Sequence, residues 1–231
     1  MKVAGFVKTT LQDWEGKNAC MILLSGCNFR CPYCNRPDLI EPGDNGIDTS
    51  EIITYIRQHK DFVNAVVITG GEPTTNPELY TLLKELKPLK VKIKIDTNGS
   101  MPHILDDIIG AMLVDKVCIN IMAPLAHDEY SKAAGVDVDV QKIKDSIKIT
   151  EESGISYEFR MVAVPGIIGS DAMLSVARSL QGPGSLIIQQ FDPSSVADQE
   201  LRKTVPYPVQ ALVRFAETSK KYIKHVRVRG I

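Results

Sequence analysis

Short apolar runs alternate with amphipathic stretches along most of the chain. The apolar runs predict strands at residues 19–25, 65–69, 91–96, 116–121, 156–164 and 185–190. The amphipathic stretches between them predict helices at residues 49–59, 77–86, 102–110, 140–153 and 171–180. Thr49 or Ser50 is a suitable N-cap for the first helix, and Gly154 follows the fourth helix where a C-cap glycine belongs.

Strand–helix alternation of this kind predicts an α/β fold with a parallel sheet and right-handed crossovers. A closed eight-stranded barrel takes about 250 residues, and this chain has 231, so six strands predict an open partial (βα)6 barrel. We expect one domain over residues 1–231, with an N-terminal cover at 2–18, the barrel at 19–195 and an extension at 196–231. The extension predicts a helix at residues 207–222 and a last strand at 226–229.

Composition and charge narrow the class of protein. A hydrophobic content of 44% and a charged content of 24% are those of an ordinary globular domain. A net charge of −1 gives no general attraction to nucleic acid or anionic lipid. Because no run resembles a signal peptide or a membrane span, we expect a cytoplasmic protein without a nucleic-acid or membrane partner. Two groups of basic residues are expected to be solvated or snorkelling side chains: lysines 84, 87, 90, 92 and 94, and the tail Lys220, Lys221, Lys224, Arg227 and Arg229.

Three of the five cysteines, Cys27, Cys31 and Cys34, form the pattern C-x3-C-x2-C. A four-iron cluster usually takes four cysteine ligands, so three would leave one iron open to a substrate or cofactor. Zinc is the alternative metal, but it normally takes four ligands, and no further Cys or His lies at zinc-finger spacing. Cys20 and Cys118 stand alone in apolar runs and are expected to be buried.

Polar residues occur where the predicted strands end. The second strand ends in Thr69-Gly70-Gly71-Glu72-Pro73 and the third in Asp96-Thr97-Asn98-Gly99. In parallel α/β barrels the functional residues lie at the carboxyl ends of strands, so these side chains are expected to share a site with the cysteines. Arg160 lies inside the apolar fifth strand and needs an anionic partner, which is either a ligand or a carboxylate of the barrel wall.

The cysteine run together with Thr69–Pro73 resembles the signature of the radical S-adenosylmethionine (SAM) enzymes. In that family three cysteines hold a [4Fe-4S] cluster whose open iron binds SAM, and one electron from the cluster releases a 5′-deoxyadenosyl radical that abstracts a hydrogen atom. The resemblance implies that Cys27, Cys31 and Cys34 are the catalytic metal ligands. It also implies a set of SAM-binding residues: Tyr33, Gly70, Gly71, Glu72, Asp96, Asn98, Arg160 and Gly166. Of these, Tyr33 and Gly166 would lie near the adenine, Glu72 would accept from the amino group, and Arg160 would contact the carboxylate or ribose.

Residues 3 to about 195 look most like the activating proteins of anaerobic ribonucleotide reductase, which generate a glycyl radical on a partner enzyme. The features that carry this resemblance are Asp13–Gly16, the cysteine run, Thr69–Pro73, Asp96–Gly99, Ala123–Pro124, Tyr157–Arg160 and Gln189–Pro193. The resemblance implies a glycyl-radical enzyme as partner and ferredoxin or flavodoxin as electron donor. In some activases the positions of Asp96 and Thr97 bind a monovalent cation.

One departure from the activase pattern leaves other functions open. Activases usually carry Asp-x-Lys after the fourth strand, where this chain has Asn120 and Met122. One alternative is a radical SAM enzyme that acts on a small molecule, as the 7-carboxy-7-deazaguanine synthases do. Another is a non-catalytic iron–sulfur protein, which would have no need of Glu72, Asn98 and Arg160.

Overall fold

The computed structural model describes residues 1–43, 46–180 and 182–231. The strands are β1 Lys2–Val3, β2 Gly5–Thr10, β3 Ala19–Leu24, β4 Ile47–Asp48, β5 Ala65–Gly70, β6 Lys92–Thr97, β7 Lys116–Asn120, β8 Ser156–Ala163, β9 Gly182–Gln190 and β10 Ile223–Arg229. The α-helices are α1 Thr49–Gln58, α2 Leu79–Leu86, α3 Pro102–Gly110, α4 His127–Ala134, α5 Val140–Glu152, α6 Ser170–Ser179 and α7 Val209–Ser219.

Eight strands form the main sheet in the order β10-β9-β8-β7-β6-β5-β3-β2. All neighbours are parallel except β2, which runs antiparallel to β3. The first and last strands of this order do not pair, so the predicted open partial barrel is confirmed. The last strand predicted in the C-terminal extension adds a seventh parallel strand to the predicted six.

The two faces of the sheet bury different kinds of side chain. The outer face packs against the helices through a continuous apolar core that includes Ile22, Ile68, Ile95 and Phe159. The inner face carries a small cluster in which Trp14 packs on Ala19, Ala65 and Val67. Cys20 and Cys118 are both buried, as predicted. None of the helices in the described ranges is long and apolar enough to cross a membrane.

Above the Trp14 cluster, the inner face carries charge. Strand register places Lys94 beside Val67 and Lys116, Asp96 beside Cys118, and Cys118 beside Glu158. The Lys94 side chain is 0% exposed and bonds to Glu158 Oε1 at 2.6 Å. Lys94 is therefore not solvated, contrary to the sequence prediction, because it has a buried carboxylate partner that sequence alone does not reveal.

Three further details differ from the sequence predictions, and one agrees. Helix α1 begins at Thr49, but its N-cap is Asp48, whose carboxylate accepts from the Ser50 backbone N–H. Helix α4 was not predicted, because its buried positions are mostly alanine and give a weak apolar stripe. Arg227 and Arg229 of β10 pair with the carboxylates of Glu158 and Asp13 and are not simply solvated. The predicted C-cap glycine, Gly154, does adopt a left-handed conformation, with φ +74°.

Candidate cofactor site

The cysteine loop follows β3 directly and is held by backbone hydrogen bonds from several parts of the chain. Its start is fixed by Gly26 and Cys27, whose N–H groups donate to Leu39 and Ile40. Further bonds come from the carboxyl end of α4 and from the segment after β9: Arg30 N to Ala134 O at 2.8 Å, Ala197 N to Cys34 O at 3.0 Å, and Asp198 N to Pro32 O at 2.9 Å. The loop geometry is therefore set by the fold around it.

The two glycines at the end of β5, Gly70 and Gly71, pack directly on the end of β3 and on the start of this loop. A Cβ built on Gly71 would lie 2.1 Å from Gly26 O, and one built on Gly70 would lie 2.3 Å from Leu24 O. The neighbouring Glu72 N–H donates to Gly26 O at 2.7 Å. Only glycine lets the strand end lie this close to the cysteine loop.

We expect Gly71→Ala to disrupt the site. The new methyl group would meet a backbone oxygen, so the cysteine loop would have to move, with a loss of about 1–3 kcal/mol in the free energy of unfolding. The iron bound per chain after anaerobic reconstitution should fall as well. Gly110→Ala is the control, because a Cβ there meets nothing within 4 Å. Equal stability and iron content in the two variants would contradict this account of Gly71.

Glu72 is buried at the centre of a hydrogen-bond network. Its Oε1 accepts from Thr74 N at 3.0 Å, from Thr74 Oγ1 at 2.5 Å and from Thr97 Oγ1 at 2.6 Å. Its Oε2 accepts from Asn98 N at 2.6 Å. Burial raises the pKa of this carboxyl group, and the hydrogen bonds oppose that shift. Within the part of the chain that the structure describes, Oε2 accepts from one protein donor and so keeps capacity for a second.

Asn98 connects the end of β6 to the cysteine loop. Its Nδ2 donates to Asn28 Oδ1 at 2.9 Å, and its Oδ1 accepts from Ser100 N at 2.9 Å. Asn28 in turn donates to Ser100 Oγ at 2.8 Å. Sequence analysis did not single out Asn28 or Ser100, and their identities alone carry no signal of this contact.

Arg160 forms an ion pair with Asp96 across the inner face of the sheet. Its Nη2 also donates to Cys118 Sγ at 3.2 Å. Burial of Asp96 disfavours the charged form of its carboxyl group. The nearby Arg160 and Lys94 nevertheless hold the pKa of Asp96 below its usual value. Among the described residues, Arg160 Nε is a buried atom of this pair that has no hydrogen-bond partner. The pair is thus a barrel-wall ion pair that leaves one buried donor unused.

A layer of charge lies beneath that pair. Besides Glu158, Lys94 Nζ lies 3.3 Å from Asp96 Oδ1 and donates to Asp13 O at 2.7 Å. Lys116 Nζ is 2.6 Å from the second oxygen of Glu158. The two lysines hold the pKa of Glu158 below its usual value despite its burial. This charged layer forms the floor of the site, beneath Asp96 and Arg160.

A cavity of about 420 Å³ opens above this floor, at the carboxyl ends of the parallel strands. The sequence-predicted residues that line it are Cys27, Cys31, Tyr33, Cys34, Gly70, Gly71, Glu72, Asp96, Asn98 and Arg160. Gly166 is not among the lining residues and lies exposed in the turn after β8. Asp13 and Arg229, which form an ion pair, also contribute to the wall.

The three cysteines are free, partly buried thiols. Burial raises the pKa of Cys27 to about 11 and that of Cys31 to about 12, and it raises the pKa of Cys34 as well. No group of three or more His, Cys, Asp or Glu side chains in the described ranges is arranged around a single metal ion. A four-iron cluster makes no such demand, because it places each thiolate on a different iron. The donor set of three sulfurs facing one cavity therefore fits such a cluster.

The chain belongs to the Radical SAM superfamily, whose sequence model matches residues 21–174. Enzymes of this family use SAM and a [4Fe-4S] cluster, and these are the cofactors of this chain.

Three similar proteins carry names that indicate different functions. A protein of Methanocaldococcus jannaschii named "Putative glycyl-radical enzyme activating enzyme" is 30% identical, over 99% of this chain and 96% of its own length. A "Probable GTP 3′,8-cyclase" of Pyrococcus horikoshii is 25% identical over 89% of this chain, which spans 66% of that protein. A "7-carboxy-7-deazaguanine synthase" of Methanothermobacter thermautotrophicus is 27% identical over 67% of this chain and 66% of its own length.

Among solved structures, SuiB of Streptococcus suis bound to its precursor peptide SuiA has a similar fold. The TM-score is 0.67 with 20% identity, and the match covers 88% of this chain but 46% of SuiB. This likeness supports the fold of the barrel.

Proposed function

We propose that this protein cleaves SAM reductively at a [4Fe-4S] cluster and uses the resulting radical to abstract a hydrogen atom from a glycine of a partner enzyme. The observation that carries the proposal is the convergence of Cys27, Cys31 and Cys34 on one cavity with Glu72 and Arg160. The full-length similarity to a protein named as an activating enzyme supports the choice of target. A cytoplasmic location and a ferredoxin or flavodoxin as electron donor belong to the same proposal.

The proposed role of the three cysteines as iron ligands requires their thiolate forms. Burial raises the pKa of each thiol and so favours the protonated form before the cluster binds. Only thiolates bind iron, so cluster assembly releases these protons. When bound, the cluster supplies the electron that cleaves SAM, and the fourth iron is the position that the three-cysteine set leaves for it.

The proposed contacts to SAM use polar groups that keep hydrogen-bonding capacity among the described residues. Glu72 Oε2 accepts one protein hydrogen bond and can accept another from an ammonium group. Arg160 Nε is buried without a partner among the described residues and is suited to a carboxylate. Tyr33, which is buried between two ligands, forms the wall on the adenine side.

A monovalent cation is not included in the proposal. Asp96 is paired with Arg160 and Lys94, and Thr97 Oγ1 donates to Glu72. Both residues are thus engaged by the protein, so the arrangement gives no support to the cation position that the resemblance to activases implies.

Glu72→Ala should separate SAM binding from cluster binding. We expect normal iron and sulfide content, because Glu72 is not a ligand, and a loss of SAM affinity of roughly 10-fold, which corresponds to about 1.4 kcal/mol for one charge-assisted hydrogen bond. Isothermal titration of the reconstituted protein measures the SAM affinity, and iron and sulfide assays of the same sample measure the cluster content. Glu78→Ala, at the exposed start of α2, is the control. Unchanged SAM affinity in Glu72→Ala would remove Glu72 from the site.

A small-molecule substrate is the second candidate function. It is supported by the similarity to a 7-carboxy-7-deazaguanine synthase and a GTP 3′,8-cyclase, and by the neutral Asn120 and Met122 in the cavity wall. A non-catalytic iron–sulfur protein has less support, since it would not need unpaired donors and acceptors beside the cysteines.

The partner can be tested by electron paramagnetic resonance (EPR). The reduced, cluster-loaded protein is incubated with SAM and an anaerobic ribonucleotide reductase from the same organism. The proposal predicts a glycyl-radical signal on the reductase that disappears when its radical-bearing glycine is replaced by alanine. Production of 5′-deoxyadenosine without a glycyl radical, together with turnover of a pterin or purine substrate, would favour the small-molecule function.

A further inference from the structure

Met122 brings its sulfur against one of the three cysteines. Its Sδ lies 3.9 Å from Cys31 Sγ and 3.4 Å from Tyr33 Oη. The Tyr33 hydroxyl donates to the Met122 backbone oxygen at 3.1 Å, which joins the segment after β7 to the cysteine loop. Met122 is half-buried and lines the cavity, so its thioether forms part of the cavity wall in contact with Cys31.

The three cysteines do not have the same electrostatic surroundings. Arg30 lies close enough to Cys27 to stabilise negative charge there, and Arg36 does the same at Cys34. Among the described residues, no cation has this effect at Cys31, whose neighbours are the other two thiols. The group that contacts Cys31 is a thioether, which carries no charge and no hydrogen-bond donor.

Charge, hydrogen bonds to sulfur and solvent access set the reduction potential of an iron–sulfur cluster. A reduced cluster carries one more negative charge than an oxidised one. A neutral, water-excluding wall beside one ligand stabilises that extra charge least, and so lowers the potential.

We propose that Met122 is a positioning residue that keeps the Cys31 side of the cluster uncharged and dry, and so makes the reduced cluster a stronger reductant toward SAM. The inference rests on the proposed function, because it requires the cluster at Cys27, Cys31 and Cys34. It adds a residue that is neither a metal ligand nor a proposed SAM contact. The chemistry needs no new reactant, since Met122 is not itself oxidised or reduced.

The test is a redox titration of the reconstituted protein without SAM. The EPR signal of the reduced cluster is the readout that gives the midpoint potential. Met122→Lys places an ammonium group near Cys31 and should shift the midpoint potential upward. Met122→Ala admits water and should also shift it upward, by less. Met122→Leu keeps an apolar side chain of similar volume and should leave the potential close to that of the parent.

Met21→Ala is the matched control, because Met21 also lines the cavity but packs on the Trp14 cluster. It opens a hole of the same kind away from Cys31 and should leave the potential unchanged. Iron content and circular dichroism of each variant report loading and folding.

Two results would overturn the inference. One is a potential that stays at the parent value in both Met122→Lys and Met122→Ala. The other is a shift in Met122→Leu as large as that in Met122→Ala, which would make the sulfur atom rather than the dry wall responsible. A parent protein that binds no cluster would instead overturn the proposed function, so the two failures are distinguishable.

Discussion

Replacement of Cys27 by alanine should give a folded protein that cannot hold the four-iron cluster. The side chain is only partly buried, so its loss leaves the apolar core intact. Two thiolates are too few to retain a cluster that normally takes four ligands and here has three. We expect iron and acid-labile sulfide after anaerobic reconstitution to fall to near background, with loss of the visible charge-transfer absorbance.

The control is Cys20→Ala, because Cys20 is a fully buried cysteine of the same chain that lies on the outer face of the sheet. That variant should bind the cluster normally, although it loses some stability from the small cavity. A full cluster in Cys27→Ala, or an equal loss of iron in Cys20→Ala, would contradict the ligand assignment.

Lys94→Met should cause a large loss in the free energy of unfolding, although lysine is usually a surface residue. The ammonium group is 0% exposed, and its carboxylate partners Asp96 and Glu158 are each 3% exposed. Removing one partner of a buried ion pair costs about 3–5 kcal/mol, because the remaining charge stays buried without full compensation. A loss at the lower end would lower the midpoint of thermal unfolding by roughly 10 °C in a chain of this size.

Lys92→Met is the matched control on the same strand. Lys92 is paired with Asp115 but its side chain is 58% exposed, so the pair should contribute less than about 1 kcal/mol. Denaturant unfolding of both variants measures the difference directly. Equal losses in the two variants would show that the charged layer inside the barrel does not stabilise the fold.

The strand and helix pattern could be predicted from sequence because each element carries its own periodicity. The boundaries of α3 agree with the prediction at both ends, and those of the other predicted helices agree within a few residues. Helix α4 gave too weak a signal, since two of its three buried residues are alanines. Pairing of distant strands, which places Lys94 beside Glu158, has no counterpart in local sequence.

The candidate site shows the same division between local and long-range information. Cys27, Cys31, Cys34 and Glu72 could be placed together, because their motifs follow strand ends that share one edge of a parallel sheet. From sequence, the partner of Arg160 could be either a ligand or a carboxylate of the barrel wall. The structure pairs Arg160 with Asp96 and leaves its Nε without a hydrogen-bond partner within the described residues. The contact between Met122 and Cys31 spans 91 residues and could not be expected from either motif.

The most direct test of the account is reductive cleavage of SAM. The anaerobically purified protein is reconstituted with iron and sulfide, reduced with dithionite and mixed with SAM, and the products are separated by liquid chromatography. The account predicts 5′-deoxyadenosine and methionine from the parent protein and neither product from Cys27→Ala. A fully cluster-loaded parent protein that yields no 5′-deoxyadenosine, or one whose three cysteines hold zinc after oxygen-free purification, would contradict it.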